Sequence, residues 1–200
     1  DVLVVKNQSK HPVRLAIDGD ADTVEFIDAG DLWGKGTYET QEILGSKKYH
    51  AVIGPAGENL VLFAGIVSGE RIAGRTGTGA VMGSKGLKAI SVRGKRKLEM
   101  DDPEAFKEYT KWVREMFRDH PMLGDKLKAC GTGNIVMTTN GRNILPTRNF
   151  KYGRFDKALT ISGDYMRDHE LVGVKSSCIH CPVTCGRDVE VEGRGRVKGP

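Results

Sequence analysis

The stretch Ser68-Gly-Glu-Arg-Ile-Ala-Gly-Arg-Thr-Gly-Thr-Gly-Ala-Val-Met-Gly-Ser-Lys-Gly-Leu-Lys-Ala-Ile90 decides what kind of fold the first half of the chain adopts. A glycine-rich loop between two apolar runs invites a nucleotide-binding reading, and the spacing refuses it. Gly77-Thr-Gly79-Ala-Val-Met-Gly83 misses the dinucleotide fingerprint by one residue, and Gly83-Ser84-Lys85 lacks the P-loop spacing. The underlying physics survives the failed motif. Glycines let backbone N–H groups approach an anion, a helix N-terminus following the loop favours negative charge, and Arg71 and Arg75 offer planar forks to phosphate. The loop therefore reads either as a contact for an anionic organic cofactor or as a tight strand-to-helix turn whose arginines pair with carboxylates.

Working outward, residues 1 to about 94 read as β-rich with short helices. Val2 to Lys6, Pro12 to Ile17 and Thr23 to Ile27 are strand-like, and Asp18-Gly19 is a hairpin signal, so a three-stranded meander is expected. Thr37 to Leu44 suits a short helix, Tyr49 to Ile53, Leu60 to Ile66 and Lys88 to Val92 suit strands, and Gly74 to Gly86 suits a loop with a helix. The pattern changes at Asp101-Asp102-Pro103-Glu104, where Asp102 can cap a helix, Pro103 suits its first turn and Glu104 complements its dipole. A domain boundary between residues 94 and 101 follows, dividing the chain into 1–98 and 99–200. Phe106, Tyr109, Val113, Met116 and Phe117 recur at helical spacing up to His120-Pro121, an aromatic stripe that reads as packing. Further helices are expected over Thr132 to Asn140 and Gly163 to Leu171, with Leu145-Pro-Thr-Arg-Asn-Phe150 an irregular link. The fold class is α+β, a β-rich domain followed by a mostly helical one.

Composition excludes several classes. The chain has 200 residues, 38% hydrophobic and 28% charged, which is ordinary for a globular protein. No apolar run approaches the roughly 20 residues of a membrane span, the longest being broken by Ala64 and Gly65. A net charge of +5 and a pI of 9.0 admit an acidic partner. The basic residues are nevertheless scattered, apart from Arg93 to Lys97, and lack the interleaved aromatics of a nucleic-acid surface. The opening Asp1-Val-Leu-Val-Val has no initiator Met or signal-like region and reads as an internal segment of a longer protein.

Three of the four cysteines fall in Lys175-Ser-Ser-Cys178-Ile-His-Cys181-Pro-Val-Thr-Cys185-Gly-Arg187. C-x-x-C-x-x-x-C can turn three thiolates into one concavity, with Pro182 and Gly186 supplying the turn chemistry, and so reads first as an iron–sulfur site. Structural zinc and a Cys178–Cys181 dithiol are the alternatives, and His180 is either a zinc ligand or a spacer. Cys130, isolated at a helix start, reads as a small buried apolar residue. Uneven spacing argues against a secreted disulfide framework and for a reducing, cytoplasmic setting.

Together these stretches resemble a known family. Ile53-Gly-Pro-Ala-Gly-Glu-Asn59, Arg71-Ile-Ala-Gly-Arg75, Gly79 to Lys85 with Leu87 to Ile90, and the cysteine motif occur in the order found in tungsten-containing aldehyde:ferredoxin oxidoreductases. Asp31-Leu-Trp-Gly-Lys35 and Leu145 to Phe150 are similar to that family's connecting segments. The resemblance implies a β-rich domain seating a tungsten bis-molybdopterin cofactor (molybdenum is possible), followed by helical domains. It implies pterin contacts from Arg71, Ile72, Gly74 and Arg75, and three ligands of a 4Fe–4S cluster in Cys178, Cys181 and Cys185. Ile72 replaces the usual Ala, and Thr76 and Thr78 replace residues often Gly or apolar in relatives.

The activity implied is oxidation of an aldehyde to a carboxylic acid, with electrons passing to ferredoxin or a ferredoxin-like subunit, in an oligomer. No catalytic residue is assigned in this stretch, and the fourth cluster cysteine is expected beyond Pro200. A low-potential reductase of the same family, acting on an aromatic acyl-CoA or a carboxylate, is the second reading. A zinc- or cluster-bearing interaction module is the third.

Overall fold

The computed structural model describes residues 2–45, 49–95, 97, 99–169, 172–178, 181, 183 and 185–199. The chain divides into two compact units, Asp1–Glu99 and Met100–Pro200.

The first unit is a six-stranded mixed sheet with short helices. Strands β1 (Val13–Asp18) and β2 (Thr23–Asp28) form the hairpin that Asp18-Gly19 announces, in register from Val13 opposite Asp28 to Asp18 opposite Thr23. Helix α1 (Thr37–Ile43), β3 (His50–Val52), α2 (Pro55–Glu58), β4 (Ile66–Ser68), β5 (Arg71–Ala73), α3 (Thr78–Ser84) and β6 (Leu87–Arg93) follow. The sheet order is β2-β1-β6-β3-β4-β5, with β6 parallel to β1. Alternation along β1 puts Val13, Leu15 and Ile17 on one face, where they meet Ile53, Met82, Leu87 and Ile90 in the core.

Two strand expectations fail. Val2 to Lys6 is not a strand, because β6 takes the place beside β1 that a meander would give it; Val5 still packs on the core. Leu60 to Gly65 is not extended either. Leu60 takes φ +57, and the amides of Leu60, Val61 and Ala64 bond the carbonyls of Gly57, Ala56 and Val61 in local turns. The edge strand β5, conversely, was not anticipated. It pairs with β4 through a two-residue turn in which Gly69 has φ +58, the left-handed start that tight hairpins favour.

A buried ion pair ties three distant segments of this unit. Lys88, fully buried on β6, bonds Glu58 at the end of α2 and donates to the Lys35 carbonyl at 2.8 Å. Glu58 in turn accepts the Gly34 amide at 2.8 Å. Each charge is thus paired and further hydrogen-bonded, the condition under which burial is tolerated. Gln41 of α1, also fully buried, accepts the Gly69 amide at 2.6 Å and so holds the β4–β5 turn.

The second unit begins with α4 (Pro103–Asp119), whose Asp102 cap accepts the Ala105 amide at 2.9 Å. None of its residues is buried: of the stripe expected to pack, Phe106, Tyr109 and Met116 are exposed and Val113 and Phe117 are half-buried. A π-helical turn (Pro121–Lys126), α5 (Leu127–Cys130), a 3-10 turn (Gly131–Ile135), α6 (Val136–Gly141), a second 3-10 turn (Ala158–Ile161) and α7 (Gly163–Asp168) follow. The unit ends in an antiparallel sheet, β7 (Val172–Ser176), β8 (Gly186–Val191) and β9 (Gly195–Gly199), absent from the expectations. No helix of the described residues is long and apolar enough to cross a membrane.

Candidate functional site

The arginine stretch occupies the open edge of the six-stranded sheet. Arg71, Ile72 and Ala73 form β5, the last strand in the order, and all three are exposed, as are Gly74 and Arg75. Among the described residues neither arginine has an ion-pair partner, so the reading in which they serve local carboxylates has no support there. A Cβ placed on Gly74 would meet nothing nearer than 3.7 Å, the side chain of Ile72. Packing within the unit therefore does not require glycine at 74. The unpartnered forks and the side-chain-free position fit an anionic group approaching this edge.

The other glycines of the loop serve packing. A Cβ on Gly83 would lie 2.0 Å from the Gly57 carbonyl oxygen, and one on Gly79 would lie 2.5 Å from that of Gly65. Gly77, at φ +69, would place one 2.2 Å from the carbonyl of Leu62. The missing side chain at Gly83 lets α3 meet α2, and those at Gly77 and Gly79 let it meet the 62–65 loop. Three amides near the start of α3 are also occupied: Gly79 donates to Ala64 at 2.9 Å, and Ala80 and Val81 both donate to Gly77. The helix N-terminus expected to receive an anion is thus partly bonded within the unit, and the arginine strand beside it adds cationic side chains.

The cysteine motif lies in the connection between two antiparallel strands. Ser176 of β7 pairs with Gly186 of β8, so Cys178 and Cys185 leave the two legs at the foot of one hairpin. The Cys181 amide donates to the Cys178 carbonyl at 3.1 Å. Cys178 is exposed and Cys181 and Cys185 are partly so. His180 and Pro182, to which roles were also given, lie outside the described residues. Among the described residues no three His, Cys, Asp or Glu side chains converge on one metal position. The hairpin brings the cysteines together in sequence, and their donor chemistry, soft sulfur accessible to solvent, fits a thiolate-bound metal centre, iron–sulfur or zinc.

Arg187, next to this motif, escaped the sequence reading because an arginine after a glycine looks like surface. It is fully buried, and its guanidinium donates to the carbonyls of Leu127 at 3.2 Å and Lys128 at 2.5 Å. A cation at the carbonyl end of α5 is favourably placed and roots the cysteine hairpin in the helical part of the unit. Cys130 lies at the end of the same helix, buried, with Arg167 donating to its sulfur at 3.3 Å and its thiol 3.6 Å from an Asp164 oxygen. Burial pushes this thiol up from its ordinary pKa, as suits a packed cysteine.

Comparison with known proteins agrees with both halves. The aldehyde ferredoxin oxidoreductase N-terminal domain matches residues 1–94, and domains 2 and 3 of that enzyme match residues 108–200. A tungsten-containing aldehyde ferredoxin oxidoreductase of Thermococcus kodakarensis is 42% identical over 100% of this chain and 34% of its own length. An aliphatic sulfonate oxidoreductase, WOR-like subunit, of Pyrococcus furiosus is 39% identical over 92% of this chain and 32% of its own. The active site complex BamBC of benzoyl coenzyme A reductase, solved with 1,5-dienoyl-CoA, superposes with a TM-score of 0.63 at 32% identity, over 96% of this chain and 31% of that one. The chain spans about a third of the length of the curated relatives it matches. With both domain profiles matched in order along it, the chain belongs to the aldehyde ferredoxin oxidoreductase family of oxidoreductases.

Proposed function

We propose that residues 1–98 are part of a tungstopterin-binding domain, that residues 99–200 begin the helical domain carrying a 4Fe–4S cluster, and that the whole protein oxidises aldehydes to carboxylic acids. Arg71, Ile72, Gly74 and Arg75 hold the pterin, the arginines through phosphate and the others through backbone contacts along β5. Cys178, Cys181 and Cys185 hold the cluster, and one cysteine outside this stretch completes it. When bound, these groups supply the redox chemistry, by which one aldehyde and one water give one carboxylate, three protons and two electrons. The chain's own residues seat both groups and fix the strand edge and hairpin that carry them. Electrons leave to ferredoxin or a ferredoxin-like subunit, and the enzyme works in the reducing cytoplasm as an oligomer.

The observation that carries this reading is the pair of exposed arginines, without an ion-pair partner among the described residues, on the edge of a sheet, in a chain that also carries three cysteines between two strands of one hairpin. A second reading, a low-potential reductase of the same family, draws support from the benzoyl coenzyme A reductase likeness.

Two variants of the full-length protein, purified without oxygen, test the assignments separately. Cys181→Ser should abolish the iron-dependent visible absorption and leave tungsten largely in place. Arg75→Ala should lower tungsten and pterin several-fold and leave iron in place. Unchanged iron in the first or unchanged tungsten in the second would remove the corresponding assignment. Aldehyde-dependent dye reduction, set against acyl-CoA reduction by a low-potential donor, separates the two activities.

A further inference from the structure

The link between α6 and the second 3-10 turn has a backbone that sequence does not explain. Arg148, Asn149 and Phe150 take φ +49, +55 and +64 in succession. Positive φ is uncommon for any residue other than glycine and is an outlier for a bulky one such as Phe150. Consecutive strained residues persist only where the surroundings over-determine them, and they cluster at binding and catalytic sites.

Here the surroundings do so. Thr147 and Tyr152 exchange backbone hydrogen bonds of 2.9 and 3.1 Å across the turn, and the Leu145 amide donates to Gly153 at 2.8 Å. The side chain of Asn140, only 8% exposed, accepts the Phe155 amide at 2.8 Å. A Cβ on Gly153 would lie 1.9 Å from the Asn143 carbonyl oxygen, so the two legs of the link are in contact.

This held turn borders a cavity of about 930 Å³. Arg148, Arg154 and Lys157 line it, and among the described residues none of the three is in an ion pair. Leu145, Phe155 and Ile161 give the same cavity an apolar wall. Arg148 stands 6.0 Å from the centre of the Tyr152 ring, which limits where its fork can point. Asp156 is the single acidic residue of the lining.

We infer that this cavity is a binding site for an organic carboxylate, with Arg148, Arg154 and Lys157 meeting the carboxylate and the apolar wall meeting its hydrocarbon. Three cations without an ion pair among the described residues line one space and favour an anion, and their planar guanidinium forks suit a carboxylate as they would a phosphate, which the phosphate arm of the test separates. The apolar wall distinguishes an organic acid from a small inorganic anion. Neither the cysteine hairpin nor the arginine strand is used, so the inference does not depend on the direction or the substrate of the redox reaction.

The test is binding of hexanoate to the full-length protein by calorimetry, beside hexanamide and inorganic phosphate. Saturable hexanoate binding is expected, weakened about tenfold or more in Arg148→Gln/Arg154→Gln, as loss of charge-assisted hydrogen bonds dictates, with hexanamide binding far more weakly. Lys157→Gln alone should weaken hexanoate to a smaller degree, and serves if the double variant does not fold. No hexanoate binding, equal binding of hexanamide, phosphate competing as well as hexanoate, or unchanged affinity in the variants would each overturn the assignment. Metal content and redox activity measured on the same samples report on the oxidoreductase reading separately.

Discussion

Between Gly57 and Gly83 glycines stand where backbones meet, whereas at Arg148, Asn149 and Phe150 the chain takes positive φ without a glycine. In the first region Gly57, Gly65, Gly77, Gly79 and Gly83 each let a carbonyl of a neighbouring segment approach within 3 Å of where a Cβ would stand, and the buried Lys88–Glu58 pair holds α2 from its other side. In the second, larger side chains are kept although glycine would relieve the backbone. The contrast teaches that glycine at these five positions reports on packing, whereas the run of three successive left-handed residues at 148–150 keeps its side chains beside the cavity on which the binding inference rests.

The largest effect should come from the ion pair. Lys88→Met leaves the Glu58 carboxylate, whose side chain is 4% exposed, buried without its cation, at a cost of about 3 to 5 kcal/mol. Denaturation of the full-length protein in urea would measure it, and Lys88→Met/Glu58→Leu should recover a good part of the loss. A single variant within about 0.5 kcal/mol of wild type, as for surface changes, would mean that the first region is not locked.

Next comes Gly83→Ala, whose methyl must displace the Gly57 carbonyl and should cost about 3 kcal/mol. Gly141→Ala is its control: nothing lies within 4 Å of the added carbon, and the change should be neutral or stabilising by up to about 1 kcal/mol. Equal effects at the two sites would erase the packing argument.

The smallest effect belongs to the second region and has the opposite sign. Phe150→Gly should stabilise the protein by up to about 1 kcal/mol, since glycine reaches this backbone without strain. A clear loss of stability would show that the turn is no reservoir of strain and would weaken the case for the site beside it.

Much of this was legible because the signals were local. The Asp18-Gly19 hairpin, the strand expected over Pro12 to Ile17 and the Asp102 cap each depend on residues a few positions apart, and all three stand in the structure. What escaped depends on partners far along the chain. Val2 to Lys6 looks like a strand until β6 is seen to fill the place beside β1. The glycines of residues 77–83 look like an anion cradle alone, and Gly57, Leu62 and Gly65 seen against them give them a packing role as well. Arg187 looks solvated until the carbonyls of Leu127 and Lys128 close on it. Of the candidate site, the residue types and their spacing were readable, including Arg71, Arg75 and the three cysteines. Their placement on an edge strand and on a β-hairpin was not, because both depend on non-local strand pairing.

The central claim is that the strand edge and the cysteine hairpin serve two different redox groups. Elemental analysis of the full-length protein, purified without oxygen, tests it most directly. The account predicts tungsten or molybdenum together with about four irons per chain, as a cubane requires. Zinc alone, in a protein without visible absorption, would contradict it.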